Sequence, residues 1–317
     1  MRKASDGVDL TASLPGGHLS RVIDVSWSPD GSRVASSSFD GTIRLWSPSA
    51  STSPISPPLD PDGGIAYSVA WAPTPLPCLA SAHEDGSIRI WDPDSPGSPL
   101  TLPAFDKRAS CVAWSPDGTT LASGCGDKRI YLWRRSGSGW RYSEPLTGHS
   151  RGVGNLCWSP NGRRLASASY DRSVRVWDCL GGNELRCFRK HKDCVANVAW
   201  SPAASMAVSA DDEGSILVWD PANLDEIQAL EGHEDCVSCL DFSYDGAFLA
   251  TKSVDGSMGI WRSDTWQQVA SVPEANPEGW GSLEFHPREL TLATLGEDER
   301  SVRIWRLDRR TLLRNSA

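Results

Sequence analysis

Residues 148–190 read GHSRGVGNLCWSPNGRRLASASYDRSVRVWDCLGGNELRCFRK. Four runs of alternating apolar and polar residues, VGNLCW, RRLASAS, SVRVWD and NELRCF, are parted by SPNG, YDR and CLGG. A period near two, broken by Gly, Pro, Asn and Asp, predicts strand and turn in succession, four strands to the unit. The phrase closing the third run returns as TIRLW, SIRIW, RIYLW, SVRVW, SILVW, SMGIW and SVRIW, which places Trp46, Trp91, Trp133, Trp177, Trp219, Trp261 and Trp305 at intervals of 42 to 45 residues. Nineteen or twenty residues before each stands a second aromatic: Trp27, Trp71, Trp114, Trp158, Trp200, Phe242 and Phe285. These two columns take twelve of the fifteen tryptophans, so the unusual Trp content belongs to the repeat.

Nothing in the chain sustains a helical period. A four-stranded unit of about 40 to 45 residues is a propeller blade, a sheet that cannot bury both faces until neighbours stack on it. Seven units predict a closed ring, with repeats near 18–61, 62–104, 105–148, 149–190, 191–232, 233–275 and 276–308 in a single domain spanning 1–317. The last unit supplies three strands and needs a fourth, while VDLTASLPG precedes the first unit and reads like the fourth strands elsewhere. Val8 to Leu14 is therefore expected to close the seventh blade; the tail LDRRTLLRNSA is the competing candidate.

Composition bounds the function. With 39% apolar and 22% charged residues the chain is globular, and a net charge of −9 disfavours sequence-independent binding to nucleic acid or anionic lipid. The N-terminal MRKASDGVDLTASL has no apolar stretch to make a secretory signal, and no window approaches a membrane span, so an intracellular chain is expected, cytoplasmic with the nucleus open. The nine cysteines form an odd set without a dense pattern, which fits reduced thiols.

Gly17-His18, Gly148-His149 and Gly232-His233, with Trp91-Asp92, Trp177-Asp178 and Trp219-Asp220, carry a resemblance to the WD-repeat β-propellers over nearly the whole chain. Units depart from the pattern: Asp62, Phe105 and Asn276 stand in the histidine column of units two, three and seven, and Ser or Arg often follows the repeat Trp. The resemblance implies an all-β, seven-bladed WD-repeat β-propeller with four antiparallel strands per blade, the N-terminal strand closing the last. It also implies a hydrogen-bonded chain of His, Ser or Thr, Asp and Trp within a blade. The matching residues are His18, Ser36, Asp40 and Trp46; His149, Ser167, Asp171 and Trp177; His233, Thr251, Asp255 and Trp261; and His191, Ser209 and Trp219, with Glu213 or Asp212 at the turn position. An indole N–H only donates and a buried imidazole must satisfy both nitrogens, so such a chain meets obligations that a dry sheet leaves open.

Several motifs invite a chemical reading. Recurring His, Ser and Asp mimic a hydrolase triad, but four copies around one ring serve packing, and a triad must converge on an open site. Cys236-Val-Ser-Cys239 is a lone CxxC whose cysteines should face opposite sides of a strand, so no metal is expected. The Pro-rich Ser47 to Gly63 reads as an outer edge strand and loop rather than a ligand for proline-binding domains. Arg134, Arg135, Trp140 and Arg141 read as a solvated fourth-strand hairpin rather than a base-stacking patch, and no GxxxxGK[ST] loop is present.

Function then falls to the rim loops and the channel mouth. In similar WD-repeat proteins the contacting side chains stand just before the turn aspartate and a few residues after the histidine column. On this chain these positions include Phe39, Tyr67, Glu84, Tyr170, Asp212, Glu297, Arg21, Arg108 and Trp280. Aromatic rings beside carboxylates suit a cationic side chain of a protein or peptide partner, an expectation that Arg21 and Arg108 complicate. The expectation is a non-enzymatic interaction scaffold, without cofactor or metal, monomeric by itself and working in a complex. The alternatives are a partner-binding module of a larger signalling protein and, more remotely, an enzyme with a channel active site.

Overall fold

A computed structural model describes residues 7–15, 17–49, 53–60, 64–73, 78–95, 97–103, 105–136, 139–223, 225–273, 281–296 and 300–314. The described strands form seven antiparallel sheets, six of four strands and one of three. The quoted stretch makes one of them: Val153–Trp158, Arg164–Ser169, Val174–Asp178 and Asn183–Phe188, paired in chain order. SPNG and YDR are its tight turns, as the alternation predicts.

Seven apolar clusters alternate with the seven sheets, each drawing its residues from two consecutive blades. Leu14, Ala293, Leu295 and Val302 of the seventh sheet meet Val22, Val25, Trp27 and Trp46 of the first, and this cluster closes the ring. Trp46, Trp133, Trp177 and Trp219 are among the largest fully buried side chains. An aromatic of that size removes roughly 150–250 Å² from water, about 4–6 kcal/mol gross per ring, which is why the Trp columns dominate the stacking.

The closing strand is N-terminal. Val8–Leu14 pairs antiparallel with Val302–Leu307, from Val8 opposite Leu307 to Leu14 opposite Val302, with a bulge between Leu10 and Ala12. The competing tail instead makes the short helix Arg309–Arg314, with Leu312 buried and Arg309 over the Phe248 ring.

Blade one departs from four strands. Only Val22–Trp27, Val34–Ser38 and Ile43–Trp46 make its sheet, and the Pro-rich segment joins it through one bridge, Ile43 with Leu59, and a bond from Ile55 N–H to Leu45 C=O. Pro54, Pro57 and Pro58 have no N–H to donate, so no ladder can propagate there. Arg134, Arg135, Trp140 and Arg141 do lie in a hairpin, between Ile130–Ser136 and Gly139–Tyr142.

Candidate functional site

At one end of the sheets lie the start of each inner strand, the turn between the second and third strands, and the loop entering from the preceding blade. The recurring His, hydroxyl, Asp and Trp meet at this end. In blade four Trp177 Nε1 donates to Ser167 Oγ (2.8 Å), Ser167 Oγ pairs with His149 Nε2 (2.7 Å), and His149 Nδ1 pairs with Asp171 Oδ2 (3.0 Å). Because the Asp171 carboxylate only accepts, Nδ1 carries the proton that faces it, and Nε2 of the neutral imidazole accepts from the serine hydroxyl, whose oxygen takes the indole N–H. Blades one and six repeat this: His18 Nε2 lies 2.8 Å from Ser36 Oγ, with Trp46 Nε1 donating to the same oxygen, and His233 Nε2 lies 2.8 Å from Thr251 Oγ1, with His233 Nδ1 2.8 Å from Asp255. Burial alone would push the carboxyls of Asp40 and Asp171 up, but hydrogen bonds from the histidine, the neighbouring hydroxyl and a backbone N–H hold both below the usual range. Ser36, Ser167, Ser209 and Thr251 are fully buried, so none of these hydroxyls meets a substrate.

Two blades rebuild the chain from other positions. In blade five His191 Nδ1 pairs with Asp211 Oδ2 (2.9 Å), so the aspartate is Asp211, not Glu213 or Asp212; it stands directly two residues after Ser209. In blade two His83, two residues after Ser81, reaches Ser81 Oγ (2.7 Å), Trp91 Nε1 donates to that oxygen, and Asp60 lies 3.7 Å from His83 Nδ1. The phrases SAH and SAD, where units one and four read SSS and SAS, were the signal. In blade three Phe105 stacks on Tyr131 (3.8 Å between centroids), and Asp127 instead accepts from the Tyr131 hydroxyl (2.6 Å).

A cavity of about 860 Å³ runs between the inner strands. Arg21, Phe39, Tyr67, Arg108 and Tyr170 line it at the His-bearing end. Phe39 and Tyr67 meet edge to face at 6.4 Å, and the Arg108 guanidinium lies 5.1 Å from the Tyr67 centroid. Burial pushes the Tyr170 phenol up, against the opposing charge of Arg108. Glu84 and Asp212 are not in the lining: Glu84 is exposed on its turn, and Asp212 is half-buried and accepts from Cys236 Sγ (3.3 Å). Trp280 and Glu297 lie outside the described residues. Asp212 still acts on the Tyr170 phenol through its charge, so of Glu84 and Asp212 it is the one beside the described lining. Cys236 and Cys239 turn apart, the first to Asp212 and the second to the Leu283 carbonyl.

Deeper in the cavity lies a group that sequence reasoning missed. Asp24, Asp241 and Glu284 sit on the inner strands of blades one, six and seven, and each accepts a backbone N–H from the next blade: Val69 to Asp24 (2.9 Å), Phe285 to Asp241 (2.8 Å), and Trp27 to Glu284. An inner strand is an edge whose free donors face the channel, and these carboxyls satisfy them. Burial pushes Asp24 up and Asp241 up to about 7; Glu284 is raised by burial and then by the charge of Asp241. Carboxylates inside VIDVSW, LDF and LEF, among apolar strand residues, were the only sequence signal.

The model of the WD domain, G-beta repeat, matches residues 9–47, 60–92, 99–134, 140–178, 182–220 and 224–262, more than half the chain. Protein hir1 of Schizosaccharomyces pombe is 26% identical over 157 residues, 44% of this chain and 14% of that protein. A Mycosarcoma maydis protein described as a probable cytosolic iron-sulfur protein assembly protein 1 is 27% identical over 128 residues, 39% of this chain and 24% of its own length. The chain thus spans a quarter or less of these two curated relatives. The crystal structure of the WD40 beta propeller domain of Doa1 superposes with a TM-score of 0.84 at 22% identity, covering 96% of this chain and 99% of that one. Six matched repeats, and a seventh blade completed by the chain's own first strand, make this protein a member of the WD40 family.

Proposed function

We propose that this chain is a non-enzymatic interaction platform that captures a protein or peptide segment at the His-bearing mouth of its channel. WD40 propellers commonly mediate protein–protein interaction, and the observation carrying the reading is the lining of that mouth. Phe39 and Arg108 both pack on Tyr67, with Phe39 43% exposed on a turn braced by the His18–Asp40 pair. Rigid aromatic and arginine anchors are what concentrate binding energy in an interface. The test is affinity capture from the native cell with the wild type and with Phe39→Ala/Tyr67→Ala/Tyr170→Ala, followed by mass spectrometry. Loss of the captured set with an unchanged melt is expected; retention of the set sinks the reading.

A second reading, a partner-binding module within a larger polypeptide, is favoured by the small share of hir1 and of the iron-sulfur assembly relative that this chain spans. A catalytic or effector region encoded in frame beside this segment is the observation that decides for it.

A further inference from the structure

Charge on the His-bearing face is divided by sector. The loops entering blades three and four, with their second-to-third-strand turns, carry Lys107, Arg108, Lys128, Arg129, Arg151 and Arg172, all exposed. Of the acids described there, Asp127 accepts from the Tyr131 hydroxyl and the Arg129 N–H (3.0 Å), and Asp171 is taken by His149, Ser173 and the Ser150 N–H; Asp106 is the exposed remainder. The same loops of blades five and six expose Glu213, Glu231, Glu234 and Asp235, against Arg189, Lys192 and Lys190, the last paired with Glu226. A chain of net charge −9 thus gathers six cations on the loops of two of its seven blades, beside the aromatic mouth.

Backbone conformation shows that two of these cations replace a residue better suited to the turn. The residue after the turn acid is Gly41, Gly86, Gly214 or Gly256 in blades one, two, five and six, at φ between 82° and 86°. In blades three and four it is Lys128 (φ 78°) and Arg172 (φ 68°). A side chain disfavours this left-handed region, in which glycine is at ease, so stability alone selects glycine at both positions. Strain held at a surface turn is a pointer to function.

We propose that blades three and four, together with Tyr67 and Arg108 at the mouth, receive an acidic peptide segment of a partner protein. This rests on the mouth being the interaction site, and it names the partner's chemistry. The carboxylates of such a segment take charge-assisted hydrogen bonds from the guanidinium groups, and an apolar residue beside them seats against Phe39 and Tyr67. A nucleic acid fits less well, because a net charge of −9 opposes a long polyanion more than a short acidic peptide segment.

The test uses the full chain and a random dodecamer phage library. Selected peptides are expected to be enriched in Asp and Glu. Their affinity should fall about tenfold or more in Arg108→Ala/Arg151→Ala, and also in Lys128→Gly/Arg172→Gly, which relieves the turn strain and so melts no lower than wild type. Glu213→Ala/Glu234→Ala should bind at least as tightly as wild type. Selection of Lys- and Arg-rich peptides, no selection at all, equal binding by Lys128→Gly/Arg172→Gly, or tighter binding of a single-stranded dT12 than of any selected peptide would each overturn the proposal. If the aromatic triple variant loses its cellular partners while the library yields no acidic binders, the partner chemistry fails and the interaction site stands. If the triple variant keeps them, the site itself fails.

Discussion

Asp241→Asn should reverse the sign of its effect between about pH 3.5 and pH 8. In the folded chain the Asp241 carboxyl accepts Phe242 N–H (2.8 Å) on one oxygen and Phe285 N–H (2.8 Å) on the other, and burial pushes it up to about 7 from an ordinary 3.8. A carboxyl raised on folding contributes stability in its protonated form. That contribution is whole below the unfolded value, near pH 4, and is lost as pH rises through 7. At about 1.4 kcal/mol per unit, up to about 4 kcal/mol is lost by pH 8. Asparagine carries no charge to desolvate, but it offers one acceptor oxygen to two donors, at a cost of about 1–3 kcal/mol. The variant should be the less stable protein near pH 3.5 and the more stable at pH 8, by about 1–3 kcal/mol each way. His83 works against the wild-type trend, since burial holds its imidazole down to about 4 and stability from it rises between pH 4 and 6.5. The informative quantity is therefore the difference between variant and wild type in urea unfolding across about pH 3.5–8.5, in which His83 cancels. A difference constant with pH would refute the buried-carboxyl account of the seam, as would a variant that gains on acidification. Glu284 and Asp24 share the cavity, so the three carboxyls titrate as a group, and Asp241→Asn should also ease the ionisation of Glu284.

Removing residues 1–16 takes away Val8 and Leu14, both fully buried, and bares the Val302–Leu307 edge; two such side chains are worth about 3–6 kcal/mol, and the melting temperature should drop by about 10 °C or more. An unchanged melt in a differential scan counts against the clasp. In blade five Asp211→Ala should cost about 2–4 kcal/mol, because it strips the partner from the buried His191, whereas exposed Glu213→Ala should stay within about 0.5 kcal/mol. Equal losses in chemical denaturation would return the turn aspartate to Glu213.

The fold was legible because its determinants are local and repeated. Period-two alternation, turn residues at fixed offsets and two aromatic columns each specify a blade, and a face that only a neighbour can cover specifies stacking. The closing strand followed from the same counting, one fourth strand too few at the end and one spare at the beginning. The standard histidine columns were equally plain, since a loop His and a turn Asp keep a constant distance in sequence, as His149 and Asp171 do.

Tertiary structure alone decided three matters, each involving residues from different blades or loops. Asp211 and His83 fill the places of absent column residues because a side chain two positions along a strand returns to the same face, and only packing shows which neighbour is missing its partner. Asp24, Asp241 and Glu284 meet across the lumen because ring closure brings blades six, seven and one together, though Asp24 and Glu284 stand 260 residues apart in the sequence (284 − 24). Which charges line the mouth was settled by which loops share a sector: Arg21 and Arg108 line the cavity with Tyr67, while Glu84 and Asp212 do not. Residue type and spacing fix what a blade is, but Coulomb interactions act through space, and only the closed ring sets those distances.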